Sequence, residues 1–248
     1  MIDSSSLQSR NLETMQFLQS HPYMSIKAVI FDMGGVLIEA PYGIWRGPTK
    51  PLFRSMEKKL EFDRGSLMRA LLTPPVRDHF EALERGETTA EDFDPLFTQY
   101  YNKKYGRSEE HIPMFSTIIK GLYNTKIIPE MAALLKDLRS AGCKTALLTN
   151  NFYADRARLI PTVPKGIENY FDVMVESCRA GMRKPEDAIY LHVCGQLQLK
   201  PEQCMFLDDL GINLKAARAL GITTIKVTSP PEAAEEVRNA LRGLFKLP

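Results

Sequence analysis

The 248-residue sequence has few cysteines and no marked excess of charge of either sign. Its four cysteines lie far apart and form no CxxC pair, which argues against a zinc site or a disulfide framework and fits a reducing compartment. The 32 Lys and Arg residues nearly balance the 30 Asp and Glu residues. Because a net charge of +2 creates no strong field, we expect neither nucleic acid nor a membrane surface as a partner.

Long hydrophobic runs are also missing. No window approaches about 18 consecutive apolar residues, so we predict no membrane span. Residues 1–25 are polar, include Asp3 and Glu13, and lack the apolar centre of a secretory signal. We interpret them as a flexible polar leader and expect a cytoplasmic protein. With 44% hydrophobic and 25% charged residues, the composition is typical of a globular enzyme with a sizeable core.

Short apolar runs that end in polar residues recur along the chain. The runs are KAVIF before Asp32, KTALLT before Asn150, FDVMVES at 171–177, CMFLDD at 204–209 and TTIKV at 223–227. Runs without polar alternation predict strands that are buried on both faces. Helix-like stretches lie between them, namely PEMAALLKDLRSAG, KPEDAIYLHVCGQL and NLKAARALG. Alternating strands and helices predict an α/β fold with a doubly wound parallel sheet.

The segment from about 45 to 124 interrupts this alternation. Four stretches in it look helical, the last being EEHIPMFSTIIKGLY, and none resembles a buried strand. We therefore predict a helical insert at 45–124 within a core formed by 26–44 and 125–248. The aromatic residues and methionines of the insert are interpreted as helix packing rather than as a ligand site.

Three carboxylates stand where two of the predicted strands meet polar sequence. Asp32 follows the first strand, and Asp208 with Asp209 follows the fourth. Ligands collect beyond the carboxyl ends of the strands in an open parallel sheet, so these groups should meet. Converging carboxylates need a cation, and hard oxygen ligands suit Mg²⁺, which bridges to phosphate. The sequence thus predicts a metal-dependent phosphate site.

Four further roles follow from that site. Asp32 would be the nucleophile, because a carboxylate can attack phosphorus and form an aspartyl-phosphate. The Thr149 hydroxyl and the Asn150 backbone N–H would bind phosphoryl oxygens, and Lys184 would neutralise their charge. Each residue taken alone is more often a turn, a helix cap or solvated surface. Their order and spacing carry the prediction.

Four blocks, VIFDMGGVL, LLTNN, GMRKPEDAIY and CMFLDDLGINL, resemble in order the four motifs of the haloacid dehalogenase-like hydrolase superfamily. More narrowly, they look like the amino-terminal phosphatase-type domain of soluble epoxide hydrolase and the corresponding domain of the acyl-CoA dehydrogenase family member 10/11 proteins. The resemblance implies a Rossmann-type core and places the helical insert where that superfamily has its cap.

The resemblance also implies site roles. Asp32 matches the nucleophile, Thr149 the phosphate-binding hydroxyl, Asn150 its neighbour in substrate binding and Lys184 the stabilising lysine. The metal ligands implied are Asp32, the backbone carbonyl of Gly34, and the acidic pair Asp208 and Asp209, with Asp209 favoured as the direct ligand. Phosphatases of the family usually carry an acid/base aspartate where this chain has Gly34.

Several outcomes of that glycine stay open. Hydrolysis could be slow and need an activated leaving group, a side chain such as Glu39 or one from the insert could replace the acid, or catalysis could be lost while phosphate binding remains. A dehalogenase-like attack on carbon is a fourth reading. We expect a Mg²⁺-dependent phosphatase acting on a small phosphorylated molecule; the alternative is a non-catalytic module that binds a phospho-ligand or a protein. Candidate contacts from the insert are Trp45, Arg46, Arg54 and Arg77.

Overall fold

A computed structural model describes residues 25–38, 49–116 and 122–247 of the chain. Five strands form one sheet: β1 (Ala28–Phe31), β2 (Lys144–Thr149), β3 (Val173–Glu176), β4 (Cys204–Asp208) and β5 (Thr223–Lys226). They pair in the order β3-β2-β1-β4-β5, and every pairing is parallel. The predicted doubly wound parallel sheet is therefore confirmed, and each strand falls within the apolar run that predicted it.

The central strand β1 explains why these runs lack polar alternation. All four of its side chains are buried. Val29 and Phe31 pack into one apolar cluster, whereas Ala28 and Ile30 pack into another. Because successive side chains of a strand point to opposite faces, the sheet separates these two clusters and both faces need apolar residues.

Helices cover both faces of the sheet. α5 (Pro129–Ser140) and α9 (Pro230–Leu241) pack in the cluster that holds Phe31, while α7 (Asp187–Leu197) and α8 (Gly211–Ala219) pack in the cluster that holds Ile30. A four-residue helix, α6 (Ser177–Ala180), follows β3. The three predicted core helices are thus present, and α5 begins at Pro129 as expected for proline in a first helical turn.

The described part of the helical insert contains four α-helices. They are α1 (Thr49–Lys59), α2 (Ser66–Leu71), α3 (Val76–Glu84) and α4 (Ala90–Tyr105). Their apolar side chains form a third cluster, which includes Phe80, Phe93, Phe97 and Tyr101. Within residues 49–116 there is no strand. The limits of the insert at 45 and 124 stay a prediction, and residue 45 lies outside the described residues.

One helix predicted in the insert is wrong. The sequence predicts a helix from Glu109 to Tyr123, but no helix forms within residues 107–116, and residues 117–121 lie outside the described residues. Side chains of α4 take the backbone donors that a helix would use: Asp94 accepts from the N–H groups of Phe115 at 2.9 Å and Ser116 at 3.1 Å, and Thr98 Oγ1 accepts from Ile112 N–H at 2.9 Å. These tertiary hydrogen bonds outweigh the local helical pattern, and Pro113 further opposes a helix.

The segment after β2 joins the insert to the core. Ala90 N–H donates to Tyr153 O at 2.9 Å, and Glu91 N–H donates to Ala154 O at 3.1 Å. Phe152 belongs to the apolar cluster of the insert and meets Phe115 edge to face, with ring centroids 5.1 Å apart. Among the described residues, no helix is long and apolar enough to cross a membrane.

Candidate active site

The sheet brings the predicted site residues together at one edge. β1 lies between β2 and β4, with Phe31 in register with Leu147 and Leu207. Asp32 follows β1 directly, Asp208 is the last residue of β4, and Thr149 is the last residue of β2. Because parallel strands end on the same side, these three residues meet at the carboxyl edge of the sheet.

Lys184 is the residue that links the carboxylates. Its ammonium Nζ lies 2.7 Å from Asp32 Oδ1 and 2.8 Å from Asp208 Oδ2. The residue is only 2% exposed, although a lysine before a proline is usually a surface residue. A buried ammonium is tolerated when it is paired and hydrogen-bonded, and two carboxylates meet that condition here.

Burial and charge act in opposite directions on the titration of this cluster. The pKa of Asp32 is raised to about 7, and burial is the main cause. The negative charges of Asp208 and Asp209 add to the rise, whereas the positive charge of Lys184 opposes it. Burial alone would lower the pKa of Lys184, but Asp208 and Asp32 outweigh it, so that pKa lies above its ordinary value. Lys184 therefore stays protonated, while Asp32 needs compensating positive charge to be fully ionised at neutral pH.

The two carboxylates of the acidic pair face different surroundings. Asp208 is fully buried and accepts hydrogen bonds from Lys184, from Leu210 N–H at 2.7 Å and from Asn213 Nδ2 at 3.0 Å. Asp209 instead lines the cavity described below. Oxygens of Asp32, Asp208 and Asp209, one from each, lie within 4.8 Å of one another. Three carboxylates so close fit a hard divalent cation such as Mg²⁺.

A tight turn carries the chain away from Asp32. Leu37 N–H donates to Met33 O at 2.9 Å, and Gly35 N–H donates to Ile38 O at 3.1 Å. Gly35 has φ +78°, a left-handed conformation that favours glycine. Gly34 lines the cavity beside Asp32. Because glycine has no side chain, this position supplies no proton donor or acceptor other than its main chain.

The Asn150 side chain fixes the main chain of Lys184. Lys184 N–H donates to Asn150 Oδ1 at 2.8 Å, and Asn150 Nδ2 donates to Lys184 O at 3.0 Å. Both the oxygen and the nitrogen of the Asn150 side-chain amide thus bond to the main chain of Lys184. The sequence predicted a substrate contact through the backbone N–H of Asn150, and the side chain has this additional role, which no sequence pattern suggested.

A cavity of about 530 Å³ lies above the strand ends. Asp32, Gly34, Thr149, Asn150, Lys184 and Asp209 line its floor. One face of α3 lines the other side through Arg77, Phe80, Glu81 and Glu84, which follow the spacing of a helix face. The volume is that of a pocket for a small molecule.

Three charged residues of this cavity, Glu81, Glu84 and Arg183, were missed from the sequence. Glu84 of α3 and Arg183 of the core form a salt bridge, with Arg183 Nε 2.6 Å from Glu84 Oε2. Burial raises the pKa of Glu84, although Arg183 opposes the rise. Arg183 lies in the GMRKPEDAIY block but was given no role there, and Glu84 lies outside all four blocks. The packing of the insert on the core brings the two residues together.

The insert residues predicted as substrate contacts have different outcomes. Arg77 lines the cavity, whereas Arg54 is not among the lining residues. Trp45 and Arg46 lie outside the described residues, as does Glu39, the predicted replacement acid. Among the described residues that line the cavity, the carboxylates are Asp32, Glu81, Glu84 and Asp209.

A family model for haloacid dehalogenase-like hydrolases matches residues 26–221. The chain belongs to this family. The resemblance seen in the four motifs is thereby confirmed, and the haloacid dehalogenase-like fold and hydrolase class that it implied hold for this chain.

Curated haloacid dehalogenase-like relatives support the narrower resemblance. The chain is 32% identical over 217 residues to "Acyl-CoA dehydrogenase family member 10" of Mus musculus, a match that covers 88% of this chain and 19% of the relative. It is 30% identical over 229 residues to "Bifunctional epoxide hydrolase 2" of Mus musculus, covering 90% of this chain and 40% of the relative. The chain thus corresponds to less than half the length of either relative.

Solved structures agree on the fold. A predicted HAD-like family hydrolase from Porphyromonas gingivalis matches with a TM-score of 0.62 at 23% identity, covering 88% of this chain and 98% of that one. A HAD family enzyme from Bacteroides thetaiotaomicron was solved in complex with magnesium and inorganic phosphate. It matches with a TM-score of 0.50 at 23% identity, and the match covers 81% of this chain and 93% of that one.

Proposed function

We propose that this haloacid dehalogenase-like hydrolase is a Mg²⁺-dependent phosphatase that cleaves a small phosphate ester through Asp32. The observation that carries the proposal is the position of Lys184 Nζ, 2.7 Å from Asp32 Oδ1, in a cavity that Thr149 and Asp209 also line. A nucleophilic carboxylate, a buried cation and a hydroxyl around one small space are the groups that phosphoryl transfer requires.

Mg²⁺ would be held by the carboxylates of Asp32 and Asp209 and by the Gly34 carbonyl. Asp209 is favoured over Asp208 because Asp209 lines the cavity, whereas Asp208 is fully buried and is not among the lining residues. The Bacteroides thetaiotaomicron enzyme with magnesium and inorganic phosphate supports this choice of ion. When bound, the ion neutralises charge on Asp32 and on phosphate oxygens.

The proposed reaction has two steps. Asp32 attacks phosphorus, the Asp32 O–P bond forms, and the bond from phosphorus to the leaving oxygen breaks. Lys184 and the Thr149 hydroxyl stabilise the charge on the phosphoryl oxygens. Water then attacks phosphorus and loses a proton to solvent, the Asp32 O–P bond breaks, and ionised Asp32 and inorganic phosphate are released. Because Gly34 has no side chain, the leaving oxygen takes its proton from solvent or from another carboxyl group, and turnover is slow with poor leaving groups.

Assays with a panel of phosphorylated metabolites and an aryl phosphate test the proposal. Hydrolysis should require Mg²⁺ and should be lost in Asp32→Asn, which removes the nucleophile. If the wild type and Asp32→Asn are equally inert on every compound, with or without Mg²⁺, the chain is not a phosphatase.

Gly34 favours one alternative, a module that binds a phospho-ligand without turnover. In that case Mg²⁺ with beryllofluoride, a phosphate mimic, would raise the melting temperature while hydrolysis stays undetectable. If Mg²⁺ with beryllofluoride leaves the melting temperature unchanged, the binding module is excluded as well.

A further inference from the structure

The Glu84–Arg183 salt bridge is nearly enclosed, and this calls for an explanation. The Glu84 side chain is 4% exposed and the Arg183 side chain 12% exposed. Burying two charges carries a desolvation penalty that their attraction barely offsets, so such a pair is weak evidence for a purely stabilising role. The pair also joins two parts of the structure, since Glu84 ends α3 of the insert and Arg183 belongs to the core loop that carries Lys184.

Glu84 has a second contact that leads to the same lysine. Its Oε2 accepts a hydrogen bond from Asn150 Nδ2 at 3.4 Å. Asn150 in turn exchanges hydrogen bonds with both the N–H and the C=O of Lys184. One carboxylate oxygen of Glu84 therefore contacts Arg183, the neighbour of Lys184 in sequence, and Asn150, the residue that fixes its main chain.

The insert does not depend on Glu84 for its attachment to the core. Ala90 and Glu91 donate backbone hydrogen bonds to Tyr153 and Ala154, and Phe152 packs into the apolar cluster of the insert. Arg85, the next residue after Glu84, forms another salt bridge with the core. Its Nη1 lies 3.0 Å from Oε1 of Glu186. These contacts remain when Glu84 is replaced. The main effect of the replacement should therefore be on the position of Lys184.

We infer that Glu84 is a positioning residue, which holds the main chain of Lys184 through Asn150 and Arg183 so that the ammonium stays between Asp32 and Asp208. The inference rests on the proposed function, because Lys184 has a catalytic role only there. Because Glu84 belongs to α3, these contacts connect the insert to the position of the lysine.

The test compares Glu84→Ala and Glu84→Gln with the wild type and with Arg85→Gln as the matched control. Glu84→Ala removes both contacts to Asn150 and Arg183, whereas Glu84→Gln keeps an acceptor oxygen of the same reach. Arg85→Gln removes a neighbouring salt bridge between insert and core without touching Asn150 or Lys184. The readouts are kcat and KM on an aryl phosphate with Mg²⁺, and hydrogen exchange of the Lys184 amide by NMR.

We expect Glu84→Ala to lower kcat about 100-fold with a much smaller change in KM, because a displacement of about 1 Å in a positioned group has a cost of that size. The Lys184 amide should exchange faster, since its bond to Asn150 Oδ1 is no longer fixed. Glu84→Gln should recover part of both losses, and Arg85→Gln should resemble the wild type in both.

The inference is overturned if Glu84→Ala matches Arg85→Gln in kcat and in Lys184 exchange, because Glu84 would then be one contact among several. If Glu84→Ala does not fold, Glu84→Gln decides by the same criteria: a slower kcat and faster exchange support the inference, and wild-type values overturn it. If the wild type itself shows no turnover, the proposed phosphatase fails, and the exchange rate of the Lys184 amide still decides the positioning role.

Discussion

Gly35 and Asp209 lie against each other at the turn after β1. A Cβ atom at Gly35 would stand 3.1 Å from Oδ2 of Asp209 and 3.2 Å from its Cγ. The φ of +78° at Gly35 is a second reason for glycine here. The turn that directs the chain away from Asp32 therefore also leaves room for the cavity-facing carboxylate of the acidic pair.

Replacing Gly35 by alanine should affect both stability and metal binding. The left-handed backbone should reduce the free energy of unfolding by about 1–2 kcal/mol. The added methyl group should also displace Asp209 and weaken Mg²⁺ binding, which titration of the melting temperature with Mg²⁺ would measure.

Gly142→Ala is the matched control for that substitution. Gly142 has φ +82°, and a Cβ atom there would meet nothing within 4 Å. The Gly142→Ala variant should lose about as much free energy of unfolding as Gly35→Ala and should keep the Mg²⁺ affinity of the wild type. Equal Mg²⁺ affinities in the two variants would contradict the role assigned to the Gly35–Asp209 contact.

The two residues of the acidic pair should respond differently to substitution. Asp209→Asn should weaken Mg²⁺ binding by at least about 10- to 100-fold, the loss typical even of residues that only support a metal ligand. Asp208→Asn should act mainly on stability, by about 3 kcal/mol, because it removes a buried partner of Lys184. Calorimetric Mg²⁺ titration and urea unfolding of both variants would check this. A larger loss of Mg²⁺ affinity in Asp208→Asn would reverse the assignment.

Gly34→Asp should restore the missing proton carrier. General acid–base catalysis contributes about 10²- to 10⁴-fold, so the rate should rise within that range on an alkyl phosphate. The gain on an aryl phosphate should be smaller, because its leaving group needs less protonation. Rates on the two esters measured with wild type and variant would decide. An equal increase in rate on the alkyl and the aryl phosphate would show that the new carboxyl group does not act by protonating the leaving group.

Lys184→Met should make stability depend more strongly on pH than it does in the wild type. The pKa of Asp32 is about 7 because burial raises it more than Lys184 lowers it. Removing the Lys184 charge should therefore raise the pKa of Asp32 further. A carboxyl group whose pKa is raised on folding binds protons more tightly in the folded state, so its contribution to stability is lost as the pH rises. Without added metal, the variant should lose more free energy of unfolding than the wild type between about pH 6 and pH 8.

Urea unfolding at several pH values would test this, and added Mg²⁺ should recover part of the loss by neutralising the same carboxylates. If wild type and variant lose the same amount over this range, the buried charge of Lys184 does not control the titration of Asp32.

The sequence predicts the sheet and its polar edge well because both depend on local patterns. Apolar runs without alternation mark the strands, and parallel strands necessarily bring Asp32, Thr149 and Asp208 to one edge. The burial of Lys184 was not evident from its neighbours, since only the fold reveals the two carboxylates beside it. Glu84 and Arg183 could not be found because they meet through the packing of the insert on the core. The helix expected from Glu109 does not form because side chains of α4, also in the insert, supply the hydrogen-bond partners of its backbone, and a local pattern does not reveal such contacts.

The connection after β2 limits how far this enzyme can be treated as modular. The segment that begins with Thr149 and Asn150 at the cavity continues directly to Phe152, whose ring is buried among the side chains of the insert. Exchanging the insert for one from a relative would leave Phe152 without its pocket and would disturb the residues three and two positions before it. A transplanted insert should therefore be moved together with the segment after β2.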